Sequence, residues 1–116
     1  MTKSFTVTQE LTAQVIGSGS LPVLATPALA AWIENVATLV TAPFLSEGET
    51  SVGTNINLDH LRKSIVGEKI EVSVELVSHE GRQLSFTAEC HNAESTLVGK
   101  ASHTRFIVNT ARFMSH

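Results

Sequence analysis

The chain has 116 residues, 42% of them apolar: enough for one domain with a single core, and too apolar for a disordered segment. Net charge is −3 and the eight lysines and arginines do not cluster, so nucleic-acid binding has no electrostatic footprint. A lone cysteine, Cys90, excludes an internal disulfide and points to a reducing, cytoplasmic setting, and Met1–Thr6 lacks the apolar core of a signal peptide.

Phe5–Leu11 alternates loosely and predicts a strand, and Ile16–Leu24 predicts a loop marked by Gly17-Ser18-Gly19-Ser20. Thr26-Pro27 opens a helix, with Thr26 as the N-cap and Pro27 at the first helical position. The helix runs from Pro27 to about Ala42, with Pro43 at or near its end. It is too short and too interrupted to span a bilayer. After the polar turn Ser46–Glu49, everything reads as strand. In Ser51–Leu61, Val52, Ile56 and Leu58 share one face, and Asn55, Asn57 and Asp59 the other. Beyond a turn at Gly67, Ile70, Val72, Val74 and Leu76 alternate with Lys69, Glu71, Ser73 and Glu75. A hairpin turn at Ser78–Gly81 leads to an inward face of Leu84, Phe86, Ala88 and Cys90. A further turn at Asn92–Ser95 leads to a last strand, Leu97–Val108, whose faces are mixed. The tail Asn109–His116 is read as loosely held or packed on a neighbour. The order is strand, helix, then four strands joined by short turns. It predicts an α+β domain spanning residues 1–116, in which a curved antiparallel sheet wraps one long helix.

Three residues stand out chemically. Glu34 is the only charge in a helix that is apolar nearly all round, and a buried carboxylate is costly unless paired, hydrogen-bonded or protonated. His60 shares the parity of Val52, Ile56 and Leu58, so strand alternation aims it at the face on which the Glu34 helix packs, where a carboxylate would fix its tautomer. A hydrogen-bonded core histidine fits the same pattern. Thr26 is a good cap, and a helix start also offers free N–H groups to an oxyanion or a held water. It lies eight residues from Glu34, about 12 Å along the helix axis, so the two do not touch. His103 and Arg105 share one strand face, and Arg105 is suited to hold an anion. Cys90 and His91 point to opposite faces and make a poor metal pair, and no zinc spacing, P-loop or dinucleotide fingerprint is present.

The ordered set Leu24-Ala25-Thr26-Pro27, Trp32-Ile33-Glu34, Ser51-Val52-Gly53-Thr54, His60, Gly67, Glu80-Gly81-Arg82, Gly99 and His103-Thr104-Arg105 resembles the hotdog-fold thioesterases, and within them the fluoroacetyl-CoA thioesterase-like branch. The resemblance covers roughly residues 23–108. It implies a hotdog fold, a homodimer joined edge to edge with a tetramer as a further option, and acyl-CoA hydrolysis near the dimer interface without metal or cofactor. Thr26, Glu34 and His60 would be the catalytic set. Gly53 would be a backbone contact near the thioester carbonyl and Arg105 a contact to the CoA portion. The loop Ile16–Ala25 carries no aromatic residue to form a lid over a small acyl group, so a small or medium acyl-CoA other than fluoroacetyl-CoA is the expected substrate. The rival readings are an acyl-ligand binding dimer without catalysis and an enoyl-CoA hydratase-type enzyme on the same fold.

Overall fold

The alternation of Ile70, Val72 and Val74 with charged neighbours produces a strand with one dry face, and all three residues are fully buried. The computed structural model describes residues 1–115 and places five strands in one antiparallel sheet. These are β1 (Thr2–Thr6), β2 (Glu49–His60), β3 (Lys69–Glu80), β4 (Gln83–Asn92) and β5 (Leu97–Asn109), in the order β1-β3-β4-β5-β2. A short helix, α1 (Ala13–Ile16), precedes the long α2 (Thr26–Thr41), and α3 (Thr110–Met114) follows β5. The tail, expected to be loosely held or packed on a neighbour, is helical over Thr110–Met114, its first turn closed by the Asn109 side chain, which accepts from Arg112 N. His116, the last residue of that tail, lies outside the described residues. The strand expected over Phe5–Leu11 is displaced: β1 ends at Thr6, and Gln9–Leu11 forms a single 3₁₀ turn.

The sheet curls around α2, which buries Leu29, Ile33, Val36 and Ala37 against Val72, Val74, Phe86 and Ala88. Phe5 of β1 stacks on Trp32 at 4.9 Å, and Lys3 donates to the Asn35 side chain at 2.9 Å, tying the sheet edge to the helix. The helix is not covered all round. Pro27, Ala31, Asn35 and Leu39 are exposed along one stripe, and the Glu34 side chain is 41% exposed beside it. Gly99 lets β5 approach the helix, since a Cβ there would lie 2.9 Å from Leu29 Cδ2.

One departure from simple alternation positions the site. In the β2–β5 ladder Gly53 stands opposite Arg105 and Asn55 opposite Thr104, so Thr54 is an extra, bulged residue. The bulge changes parity. Glu49, Ser51 and Gly53 face the helix before it, and Ile56, Leu58 and His60 after it, each opposite an inward residue of β5. The expectation that Val52 shares a face with Ile56 and Leu58 is therefore corrected: Val52 pairs with Phe106 on the other face.

Candidate active site

Thr26 is the first residue of α2, and Ala25, not Thr26, occupies the cap position. Its hydroxyl makes no cap bond. Instead Thr26 Oγ1 lies 2.8 Å from His60 Nδ1, joining the helix start to the end of β2. The expected N-cap role gives way to this contact because the helix begins one residue earlier: Ala28 N and Leu29 N both donate to the Ala25 carbonyl, which leaves the Thr26 hydroxyl for His60. His60 Nε2 is enclosed and has no hydrogen-bond partner among the described residues. Burial pushes the His60 pKa below its ordinary 6.5, so the ring is neutral at pH 7. A hollow of about 260 Å³ opens at this pair, walled by Val23, Leu24 and Leu61. A larger hollow of about 550 Å³ lies on the outer face of the sheet among Asn57, Glu75, Thr87 and Ser102, and none of the site residues reaches it.

Glu34 belongs to a second cluster. Its Oε2 accepts from Arg105 Nη1 at 3.2 Å. Arg105 Nε donates to Ser51 Oγ at 2.9 Å and Nη2 to the Ser51 carbonyl at 3.1 Å, which consumes the guanidinium inside the protein. Arg105 is only 6% exposed. That placement does not support the expected contact with CoA; it makes Arg105 the clamp on Glu34. His103 Nδ1 donates to the Asn55 carbonyl at 2.7 Å, leaving the Nε2 lone pair to accept from Arg105 Nη1 at 3.2 Å. The 3.7 Å approach of His103 Nε2 to Glu34 is consequently not an ion pair. Gly53 completes the cluster. A Cβ on it would overlap Glu34 Oε2 and lie 3.2 Å from both Arg105 Nη1 and His103 Cε1, so glycine is what lets the carboxylate lie against the strand in this position.

The structure thus joins Thr26 to His60, and Glu34 to Gly53 and Arg105, two pairings that the sequence did not disclose. The convergence of Glu34 with His60 does not occur within the chain. Gly53 and His60 are separated by six ladder steps of β2, roughly 20 Å. His103, read from the sequence only as sharing a strand face with Arg105, joins the Glu34 cluster as well, and the alternation His103-Arg105-Ile107 carried that signal once the inward face was known.

Burial holds the His103 pKa below 6.5, so the folded state binds fewer protons than the unfolded chain just below that value. The stability contributed by its neutral form is complete above the unfolded pKa and is lost as pH falls through the lower folded one. We expect Tm to fall between pH 7 and 5 with a slope that His103→Gln reduces; an unchanged slope in that variant would assign the acid sensitivity elsewhere.

A curled antiparallel sheet around one long helix, with the site residues on its end and edge, is the hotdog architecture. The family model described as fluoroacetyl-CoA-specific thioesterase matches residues 7–111, and the chain belongs to that family. The fluoroacetyl-CoA thioesterase of Streptantibioticus cattleyicolor is 35% identical over 72 residues, 62% of this chain and 51% of that protein, so the chain spans about half the length of this curated relative. A variant of the fluoroacetyl-CoA-specific thioesterase FlK, solved with fluoroacetate and CoA, superposes with a TM-score of 0.90 at 28% identity, covering 97% of this chain and 92% of that one. A Thermus thermophilus hypothetical protein described as a thioesterase superfamily member gives a TM-score of 0.89 at 26% identity over 97% of this chain and 82% of its own.

Proposed function

We propose that the protein is an acyl-CoA thioesterase that hydrolyses a small or medium acyl-CoA to the acid and free CoA, working as a homodimer with Thr26, His60 and Glu34 as its catalytic residues. The observation that carries this reading is the Thr26–His60 contact at the mouth of a hollow, with an unpartnered Nε2 turned inward. Water adds to the thioester carbonyl, the C–S bond breaks, and the leaving thiolate takes up a proton. His60, neutral at pH 7, relays protons, and Thr26 positions the water or the ring. Glu34, fixed through Oε2 with Oε1 left free of protein partners among the described residues, either activates that water or itself attacks the acyl carbon, expelling the thiolate and leaving a mixed anhydride that water then hydrolyses. The Gly53 N–H and the start of α2 supply oxyanion donors.

The separation of the two clusters is what favours a dimer. β2 is a twelve-residue edge strand without lysine or proline, broken by the one bulge at Thr54, and an edge of that length favours pairing. Antiparallel pairing about a two-fold axis midway between Gly53 and His60 brings His60 and Thr26 of one protomer to the partner subunit's Gly53 and Glu34. Each of the two sites is then complete. The loop 17–22 is exposed and built of Gly, Ser, Leu and Pro, so no aromatic lid restricts the acyl group. Cys90 is buried, with its thiol pushed up to about 12 by burial, which makes it inert and in keeping with a cytoplasmic protein. Among the described residues no helix is long and apolar enough to cross a membrane.

The test is thiol release from short, branched, aromatic and long acyl-CoAs across pH. We expect release from the shorter members, with kcat/KM falling on the acid side at a pH below 6.5 as His60 is protonated. Binding of acyl-CoA without release would make the protein an acyl-ligand binder, and conversion of an enoyl-CoA without release would make it a hydratase.

A further inference from the structure

We propose that Arg62 and Lys63 form the subsite that holds the phosphate groups of CoA, and so make the enzyme selective for CoA thioesters over shorter thiol carriers. The inference rests on the thioesterase reading above and assigns a role that Arg105, clamped inside the protein, does not fill. Both residues lie two and three positions beyond His60 in the segment between β2 and β3. That segment is pinned on both sides: Leu61 N donates to the Val98 carbonyl at 2.8 Å, and the Ser64 carbonyl accepts from Leu24 N at 2.8 Å. The backbone is held while both cationic side chains stand exposed. They line the hollow that opens at Thr26 and His60, and that lining contains no carboxylate. Two positive charges at one opening are notable in a chain of net charge −3. Neither side chain has an ion-pair or hydrogen-bond partner among the described residues, whereas Arg82 is spent on Glu49 and Arg105 on Glu34.

The distances suit the ligand. Three residues of extended chain carry Lys63 up to about 10 Å from His60, and its stem reaches farther. In an acyl-CoA the anionic diphosphate and ribose phosphate lie a whole pantetheine arm away from the thioester. A reacting carbonyl at His60 therefore directs the phosphates outward along this segment, where a guanidinium fork and an ammonium meet them.

The test compares one acyl group on CoA and on N-acetylcysteamine, which lacks the phosphates, using wild type and Arg62→Ala/Lys63→Ala. We expect KM for the CoA thioester to rise about ten-fold, the combined loss of two solvent-exposed charge contacts, with kcat held. The N-acetylcysteamine thioester should not share that rise. Wild-type KM for the CoA thioester should increase with salt and the double variant's should not, while Arg62→Lys/Lys63→Arg restores both behaviours. An equal rise for both substrates, or no rise for either, overturns the assignment. Calorimetric titration with adenosine 3′,5′-bisphosphate separates this idea from the catalytic one. Binding lost in the double variant upholds the subsite even if no thioester is cleaved, and equal binding by both proteins overturns it whether or not the enzyme is active.

Discussion

A heterodimer carrying His60→Ala in one chain and Glu34→Gln in the other is expected to show about half the wild-type thioester turnover, although each variant alone loses about 10²–10⁴-fold. The reasoning is geometric. Within one chain Glu34 is bound to Arg105 and apposed to Gly53, and His60 is bound to Thr26 at the far end of the same strand. If each site takes His60 from one protomer and Glu34 from the other, the heterodimer has one site with both lesions and one site with none. If instead each chain works alone, one chain lacks its proton relay and the other its carboxylate, and the heterodimer is as inactive as its parents. Co-expression with two different affinity tags isolates the mixed species, and thiol release measures it directly. Inactive heterodimers that remain folded would sink the shared site; full turnover by either single variant would remove that residue from the catalytic set.

Gly53→Ala is the second large effect, and it should separate activity from stability. The new methyl group overlaps Glu34 Oε2, the far end of a flexible side chain, and not a fixed backbone atom. Gly53 is also not among the residues with positive φ, so alanine fits its backbone. Glu34 is therefore displaced and loses its bond to Arg105, while the sheet stays intact. We expect kcat to fall by about 10²-fold, the scale of a reacting group misplaced by an ångström, with a stability cost of about 1–3 kcal/mol. Turnover and a denaturant midpoint on the same sample provide the comparison. A lost midpoint with normal kcat per folded molecule would make Gly53 a packing residue only.

These placements show what the sequence disclosed and what it withheld. The inward faces of β3 and β4 were legible because Ile70, Val72, Val74, Leu84, Phe86, Ala88 and Cys90 alternate without interruption. The helix was legible from Thr26-Pro27 and Pro43 to within about a residue. β5 was not, because its inward face carries His103 and Arg105, polar groups whose burial depends on partners from α2 and β2. Hydrophobic alternation does not register a polar residue that is satisfied by distant chain. Glu34 was legible as an oddity but not in its partnership, since 71 residues separate it from Arg105. The parity of β2 failed at one place, and the isolated Gly53 inside a strand pattern was the available hint of a bulge. Thr26 was misread as a cap because local capping chemistry is the strongest short-range signal, whereas its real partner lies 34 residues away.

Thr54 sets the phase of everything downstream of it in β2. Its hydroxyl donates to the Thr104 carbonyl at 3.3 Å, and its insertion is what turns Ile56, Leu58 and His60 toward the helix. The first half of the strand thus presents Ser51 and Gly53 to a polar cluster, and the second half presents apolar side chains and a histidine, in two opposite frames. Flattening the bulge with Thr54 retained in the ladder would merge the frames and swing Asn57 and Asp59 inward in place of Leu58 and His60. The exposed segment 17–22, by contrast, absorbs extra residues at little entropic cost. Length variation among descendants of this chain is accordingly confined by the fold: free in the loop before α2, and within β2 in phase with the site only at the bulged residue itself.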